Sequence, residues 1–116
     1  MKKILLVDDE DGIQMLYREE LQDAGYEVIS AYTGEEGLEK MRTEIPNLVI
    51  LDIQMPGMNG IETLRQMKMD NPDLPIILSS AYTEYKQDLG TWASEAYVVK
   101  SSNINDLKEA VKKHLS

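Results

Sequence analysis

The segment LDIQMPGMNG, from Leu51 to Gly60, joins an apolar run to a turn and carries a charge at the junction. The aliphatic run from Leu48 to Leu51 predicts a buried strand, and Asp52 comes directly after it. Burying an unpaired carboxylate is costly, so a buried strand that ends in one needs a physical reason. Either Asp52 stands at the open end of the strand by chance, or a ligand at that end requires it.

Length and composition predict one domain that spans residues 1–116, since the chain is long enough to bury a core. The net charge of −9, from 12 basic and 21 acidic residues, argues against direct binding of nucleic acid. The absence of cysteine and the single histidine, His114, argue against disulfides and against zinc sites. No apolar run approaches the ~20 residues that span a bilayer, and the N-terminal run stops at Asp8. We therefore expect a cytoplasmic protein that does not contact a membrane.

Five short apolar runs recur along the chain, and each is continuous rather than alternating, as in strands that are buried on both faces. They are Ile4–Val7, Glu27–Ala31, Leu48–Leu51, Ile76–Ser79 and Ala96–Val99. Stretches with helical periodicity lie between them and after the last. Alternation of strand and helix, repeated five times, predicts an α/β fold with a doubly wound, five-stranded parallel sheet.

The predicted helices differ in how clearly their ends are marked. The first carries a stripe of Ile13, Leu16, Tyr17, Leu21 and Ala24, and it stops at Gly25. The second opens with a capping-box pattern, Thr33 followed by Glu36, and ends before Pro46. The other three are expected at about 59–71, around 83–92, and from 103 or 104 onward; Gly90 makes the fourth the weakest.

Polar and charged side chains follow four of the five predicted strands. They are Asp8, Asp9 and Glu10 after the first, Asp52 after the third, Ser79 and Ser80 at the end of the fourth, and Lys100 after the fifth. The carboxyl ends of parallel strands meet at one edge of the sheet, which is where open α/β sheets bind ligands. The sequence thus predicts one crevice that holds carboxylates, a hydroxyl group and an amine.

Clustered carboxylates repel one another unless a cation binds between them, and oxygen ligands without histidine or cysteine favour Mg²⁺. A cation, a lysine and a hydroxyl would together surround a phosphoryl group, with Asp52 as the nucleophile that forms an aspartyl phosphate. Each residue alone has a structural interpretation. The acidic pair could be a solvated helix N-terminus, Asp52 or Ser80 could satisfy loop amides, and Lys100 could be a surface charge.

These segments resemble the receiver domain of bacterial response regulators over essentially the whole chain. The segments ILLVDDE, LVILDIQMPGMNG, PIILSSA and AYVVK match the family's landmarks in order and spacing, and the pattern D-x-x-M-P-G-M-x-G is highly specific. The resemblance implies a flavodoxin-like sheet with strand order 2-1-3-4-5. It also implies a signalling switch that catalyses only its own phosphorylation and dephosphorylation.

The resemblance assigns the acceptor and the metal ligands by position. Asp52 matches the phosphorylated aspartate, and Asp9 and Asp52 match direct ligands of Mg²⁺. The backbone carbonyl of Gln54 matches a third ligand, and Asp8 matches the carboxylate that acts through water.

The resemblance also assigns the groups that bind the phosphoryl group and respond to it. Ser80 and Lys100 match its hydroxyl and amine partners, and Tyr97 matches the aromatic switch. Gln54 and Tyr82 occupy the positions that flank the path of the hydrolytic water. The sequence departs from the family where Ser101 replaces the usual proline after the lysine. A trans bond is expected there, because a cis bond before a non-proline residue costs ~3 kcal/mol.

The implied partners are a sensor histidine kinase or a phosphotransfer protein as phosphodonor. An output protein or a second receiver would read the surface of the fourth helix, the fifth strand and the fifth helix. A haloacid-dehalogenase-like phosphatase is the alternative from another class, but Gln54 stands where those enzymes carry a second aspartate. A degenerate receiver would be expected to lack a key residue, and none is lost in this sequence. A flavodoxin-like cofactor protein is disfavoured because no phosphate-binding loop rich in serine, threonine or glycine follows the first strand.

Overall fold

The computed structural model describes residues 1–53, 60–80, 96–99 and 104–115. Within these ranges strands and helices alternate for most of the chain. The elements are β1 (Lys3–Val7), α1 (Asp11–Asp23), β2 (Glu27–Ala31), α2 (Gly34–Glu44), β3 (Leu48–Asp52), α3 (Gly60–Asp70), β4 (Ile76–Ser80), β5 (Ala96–Val99) and α4 (Ile104–Leu115). The helix α4 is the fifth of the predicted helices. The fourth, expected around residues 83–92, lies outside the described residues.

The five strands form one parallel sheet in the order β2-β1-β3-β4-β5. The predicted α/β architecture around a parallel sheet is thereby confirmed. Every residue of β3 and β4 is buried, as continuous apolar runs predict for strands covered on both faces. The strand ends that carry the predicted site residues therefore share one edge of the sheet.

The core is divided between the two faces of the sheet. Alternate residues of each strand belong to different clusters: Leu48 and Ile50 pack with residues of α1 and α4, whereas Val49 and Leu51 pack with residues of α2 and α3. Alternation follows from the pleat, which directs successive side chains to opposite faces. Helices on both faces make the sheet doubly wound, so the strands are buried and only their ends reach the crevice.

The helix termini follow the chemistry that the sequence predicts. The Thr33 side chain accepts a hydrogen bond from the Glu36 backbone N–H at 3.0 Å, as expected for the start of α2. At the end of α1, Gly25 adopts a positive φ of 98°. The Gly25 and Tyr26 backbone N–H groups donate to the Gln22 and Leu21 carbonyls, the paired bonds of a Schellman terminus. Among the described residues, none of the helices is long and apolar enough to cross a membrane.

Two residues of the predicted α1 stripe are not buried. Leu16 is 47% exposed, and Ala24, which is the C-cap residue after the helix, is exposed as well. The buried residues of this helix are Gln14, Tyr17 and Leu21, which recur at steps of three and four. Leu16 is one position away from that stripe and so is rotated by about 100° toward solvent. The buried side of α1 thus includes a polar residue, Gln14, which the apolar pattern does not predict.

Candidate functional site

The candidate site begins at Asp52, which is the last residue of β3 and is only 2% exposed. The pairing of Val7 with Leu51 places the next residues of the two strands, Asp8 and Asp52, side by side. Asp8 is also almost completely buried, at 1% exposure. Two buried carboxylates next to each other repel strongly, since unit charges 4 Å apart cost about 1 kcal/mol even in water and more when desolvated. Such an arrangement needs a compensating positive charge.

Four carboxylates converge at this edge of the sheet. One oxygen from each of Asp8, Asp9, Glu10 and Asp52 lies within 4.8 Å of the others, with Asp8 and Asp52 buried and the other two exposed. The structure thus brings together the three acidic residues predicted as metal ligands. It adds Glu10, which the sequence had grouped with them but which carried no assigned role.

The convergence has a local cause in the turn between β1 and α1. The Glu10 backbone N–H donates to Asp8 Oδ1 at 2.9 Å, which is the hydrogen bond of an Asx turn. The Asp8 backbone N–H donates to the Ala31 carbonyl at 3.0 Å, which ties this turn to the end of β2. These bonds reverse the chain directly after β1, so that consecutive acidic residues face one crevice.

Gln14 stabilises the same turn through its side-chain amide, a role that the sequence does not predict. Its side-chain amide Nε2 donates to the carbonyls of Ala31, Asp8 and Leu6 at 2.9, 3.0 and 3.2 Å. The residue is 3% exposed, so the amide links the ends of β1 and β2 inside the protein. The signal in the sequence was a glutamine in register with Tyr17 and Leu21 on the buried side of α1.

The donor set fits Mg²⁺. All four groups offer hard carboxylate oxygens, which Mg²⁺ prefers. An octahedral Mg²⁺ with bonds of ~2.1 Å places its ligand oxygens about 3 Å apart in cis and about 4.2 Å apart in trans. The limit of 4.8 Å between the carboxylate oxygens is slightly wider than this. Asp9 and Glu10 are exposed, so packing restrains their side chains less than those of Asp8 and Asp52.

Two serines end β4 beside the acidic cluster. Ser79 pairs with Asp52 across the sheet, and the Ile53 backbone N–H donates to the Ser79 carbonyl at 3.2 Å. Ser80 is the next residue and is fully buried. Because side chains alternate along a strand, Ser79 lies on the same face of the sheet as Asp52. Ser80 lies on the other face, together with Leu78.

Several predicted site residues cannot be placed in this geometry. Gln54, Tyr82 and Lys100 lie outside the described residues, as does Ser101. Tyr97 is described only by its backbone, which lies in β5 and pairs with Leu78. The assignments of these residues remain predictions.

Comparison with known proteins identifies the family. The sequence model of the response regulator receiver domain matches residues 4–112, which is nearly the whole chain. The chain belongs to the response regulator receiver family.

Relatives and solved structures agree with this assignment. Sporulation initiation phosphotransferase F of Bacillus subtilis is 36% identical over 116 residues, covering 98% of this chain and 94% of that protein. The alkaline phosphatase synthesis transcriptional regulatory protein PhoP of the same organism is 37% identical over 113 residues, and the match covers 96% of this chain. This chain spans about half of PhoP, 47% of its length.

The response regulator TrrA of Thermotoga maritima is similar in both sequence and structure. Its crystal structure in complex with Mg²⁺–BeF has a TM-score of 0.94 and 50% identity, and the match covers 99% of this chain and all of TrrA. TrrA in complex with the histidine kinase ThkA has a TM-score of 0.92, 50% identity and full coverage of both chains.

In this receiver domain, Gly60 fixes the start of α3 against the end of β3. A Cβ added at Gly60 would lie 2.1 Å from the Ile53 Cα and 2.7 Å from the Asp52 carbonyl oxygen. The Gly60 backbone N–H donates to the Ile53 carbonyl at 3.2 Å. The last glycine of the opening segment is thus a point of backbone contact beside Asp52, a role that no local turn pattern predicts.

Proposed function

We propose that this receiver domain accepts a phosphoryl group on Asp52 in a reaction that requires Mg²⁺. The observation that carries the proposal is the group of four carboxylates within 4.8 Å around the end of β3. Asp52 is suited to be the acceptor because it ends the central strand β3 and is paired with Ser79 of β4. A nucleophile in such a fixed position needs little reorganisation before it reacts.

In the proposed reaction an Asp52 carboxylate oxygen attacks the phosphorus atom of a phosphohistidine. The P–N bond breaks as the P–O bond forms, and the departing imidazole nitrogen keeps the electron pair and takes up a proton. Mg²⁺ held by Asp9 and Asp52 directly, by Asp8 through water, and by the Gln54 carbonyl would offset the charge of the phosphoryl oxygens. Ser80 and Lys100 are the further proposed partners of those oxygens.

The phosphodonor is proposed to be a sensor histidine kinase or a phosphotransfer protein. Support comes from TrrA, which resembles this chain along its full length and has been crystallised with the histidine kinase ThkA. Binding of Mg²⁺–BeF by TrrA supports the choice of Mg²⁺ in the same way. A cytoplasmic location and a domain that spans residues 1–116 belong to the same proposal.

The output is proposed to follow from a shift between two conformations. Ser80 would move toward the phosphoryl group and make room for Tyr97. The surface of the fourth predicted helix, β5 and α4 would then bind an output protein or a second receiver. One phosphoryl group can drive such a shift only if the two states differ by a few kcal/mol. Hydrolysis, at a rate set in part by Gln54 and Tyr82, would reset the switch.

Intact-mass spectrometry after incubation with acetyl phosphate tests the proposal. We expect one added phosphoryl group in the presence of Mg²⁺ and none after chelation with EDTA. Asp52→Asn is nearly isosteric and removes the nucleophile, so it should remain unlabelled. A parent protein that gains no phosphoryl group with either acetyl phosphate or a phosphorylated histidine kinase would refute the proposed function.

A further inference from the structure

Ser79 presents an unexplained polar group next to the acceptor. Its hydroxyl is buried, with the residue only 1% exposed, and Ser79 Oγ has no hydrogen-bond partner within the described residues. Buried hydroxyls normally have a partner, because burying one without compensation is unfavourable. The Ser79 hydroxyl therefore calls for a partner other than the described protein atoms.

The surroundings of Ser79 in this state give no reason for a hydroxyl. On its face of the sheet the preceding residue in the row is Ile77, and its neighbour on β5 is Val98. Both belong to the apolar cluster beneath α1 and α4. An alanine or a small aliphatic residue would meet the packing requirement of this position without burying an unsatisfied group.

The register of the sheet places Ser79 beside Asp52. The two residues are direct partners in the β3–β4 ladder. Each comes two positions after a residue of the same face, Ile50 in β3 and Ile77 in β4. Neighbouring strands lie about 4.8 Å apart, so side chains at paired positions stand next to each other. A phosphoryl group formed on Asp52 would therefore lie beside position 79.

We propose that Ser79 Oγ is a second hydroxyl of the phosphoryl site and donates a hydrogen bond to the acyl phosphate formed on Asp52. This inference rests on the proposed function and adds a residue that the family resemblance does not assign. Ser80 extends the row on the opposite face and belongs to the proposed movement of the β4 end. Ser79 precedes the last residue of β4 and is the direct partner of Asp52 in the ladder.

Two opposite effects of Ser79→Ala follow. Without a ligand, the variant should melt at the same temperature as the parent or higher, because an unsatisfied buried hydroxyl is removed. With Mg²⁺ present, its affinity for beryllofluoride, a phosphoryl mimic, should fall about tenfold or more, as expected for loss of a hydrogen bond to a charged group. A residue with only a structural role would instead lower the melting temperature and leave the affinity unchanged.

A matched pair of variants separates the hydroxyl from the shape of the side chain. Ser79→Thr and Ser79→Val have nearly the same shape, and only threonine keeps the hydroxyl. Threonine should bind beryllofluoride more tightly than valine by the same factor as serine over alanine. Ser30→Ala is a control on β2, away from the acceptor, where the Ser30 hydroxyl accepts a hydrogen bond from Arg18 of α1. This variant should bind beryllofluoride as the parent does.

The measurement is a calorimetric titration of beryllofluoride in Mg²⁺, paired with thermal melts of each variant without ligand. Equal affinities of Ser79→Ala and the parent, or of the threonine and valine variants, would overturn the inference and leave the proposed function intact. A parent that does not bind beryllofluoride at all would refute both. Asp52→Asn supplies the baseline for a protein without the acceptor.

Discussion

Gly60→Ala is the substitution whose effect the structure predicts most sharply. The added methyl group would lie 2.1 Å from the Ile53 Cα, whereas ordinary contacts begin near 3.4 Å, so α3 and the end of β3 must separate by about 1.3 Å. Backbone atoms cannot rotate away as a side chain can. Overpacking of this kind costs about 1–3 kcal/mol. Gly60 is the first residue of α3, so the helix propensity of alanine, which counts mainly in a helix interior, offsets little of that cost. The net loss of unfolding free energy should be about 2 kcal/mol.

The same displacement should slow phosphorylation, because the contacted backbone belongs to Asp52 and Ile53. A misplacement of about 1 Å at a reacting group costs on the order of a hundredfold in rate. Urea denaturation gives the stability, and intact mass against time with acetyl phosphate and Mg²⁺ gives the rate. The rate is measured well below the melting temperature, so that loss of folded protein does not imitate loss of activity.

Two other helical glycines provide matched controls. A Cβ at Gly12, in the first turn of α1, meets nothing within 4 Å, so Gly12→Ala should change stability by between zero and about 1 kcal/mol in the favourable direction. A Cβ at Gly37 lies 2.9 Å from a Val7 side-chain methyl, which can adjust; its cost should be intermediate. A Gly60→Ala variant as stable and as rapidly phosphorylated as Gly12→Ala would refute the reasoning.

Three further substitutions test other parts of the account. Asp9→Asn should weaken Mg²⁺ binding in a calorimetric titration and raise the melting temperature in metal-free buffer, because a like-charge contact is relieved; a lower melting temperature would contradict the repulsion. Gln14→Leu should lower the free energy of unfolding by roughly 1–3 kcal/mol, since buried carbonyls lose their donor. It should also weaken Mg²⁺ binding. An unchanged affinity for Mg²⁺ would show that the amide does not position the acidic turn. Ile45, the residue after α2, is exposed and has a positive φ of 52°, which is strained for a residue with a Cβ. Ile45→Gly should therefore raise the free energy of unfolding in urea by about 1 kcal/mol. No gain would argue against backbone strain at this residue.

The order of strands and helices in the described ranges was predictable because each apolar run is short, continuous and bounded by a turn or cap. Parallel pairing then determines that the strand ends share an edge, which is why Asp8 and Asp52 could be expected to meet. Thr33 and Gly25 marked helix ends correctly because capping depends on local hydrogen bonds and backbone angles.

The remaining features depend on contacts between segments that are distant in sequence. Helical periodicity indicates the width of a buried stripe more reliably than its rotation about the helix axis, so the sequence predicts that Leu16 faces inward and does not predict the burial of Gln14. Gly60 lies inside the helix predicted at about 59–71, and its contact with Ile53 becomes visible only when α3 is placed against β3. Ser79 and Ser80 could not be separated without the register that pairs Ser79 with Asp52.

Chemical identification of the phosphorylated residue tests the central claim most directly. Sodium borohydride reduces an acyl phosphate to an alcohol, so a phosphorylated aspartate becomes homoserine. After phosphorylation with Mg²⁺, reduction and proteolysis, peptide sequencing by mass spectrometry should show homoserine at position 52 and aspartate at positions 8 and 9. Homoserine at position 8 or 9, or aspartate retained at position 52 in a protein whose intact mass shows the phosphoryl group, would contradict the assignment of Asp52 as acceptor.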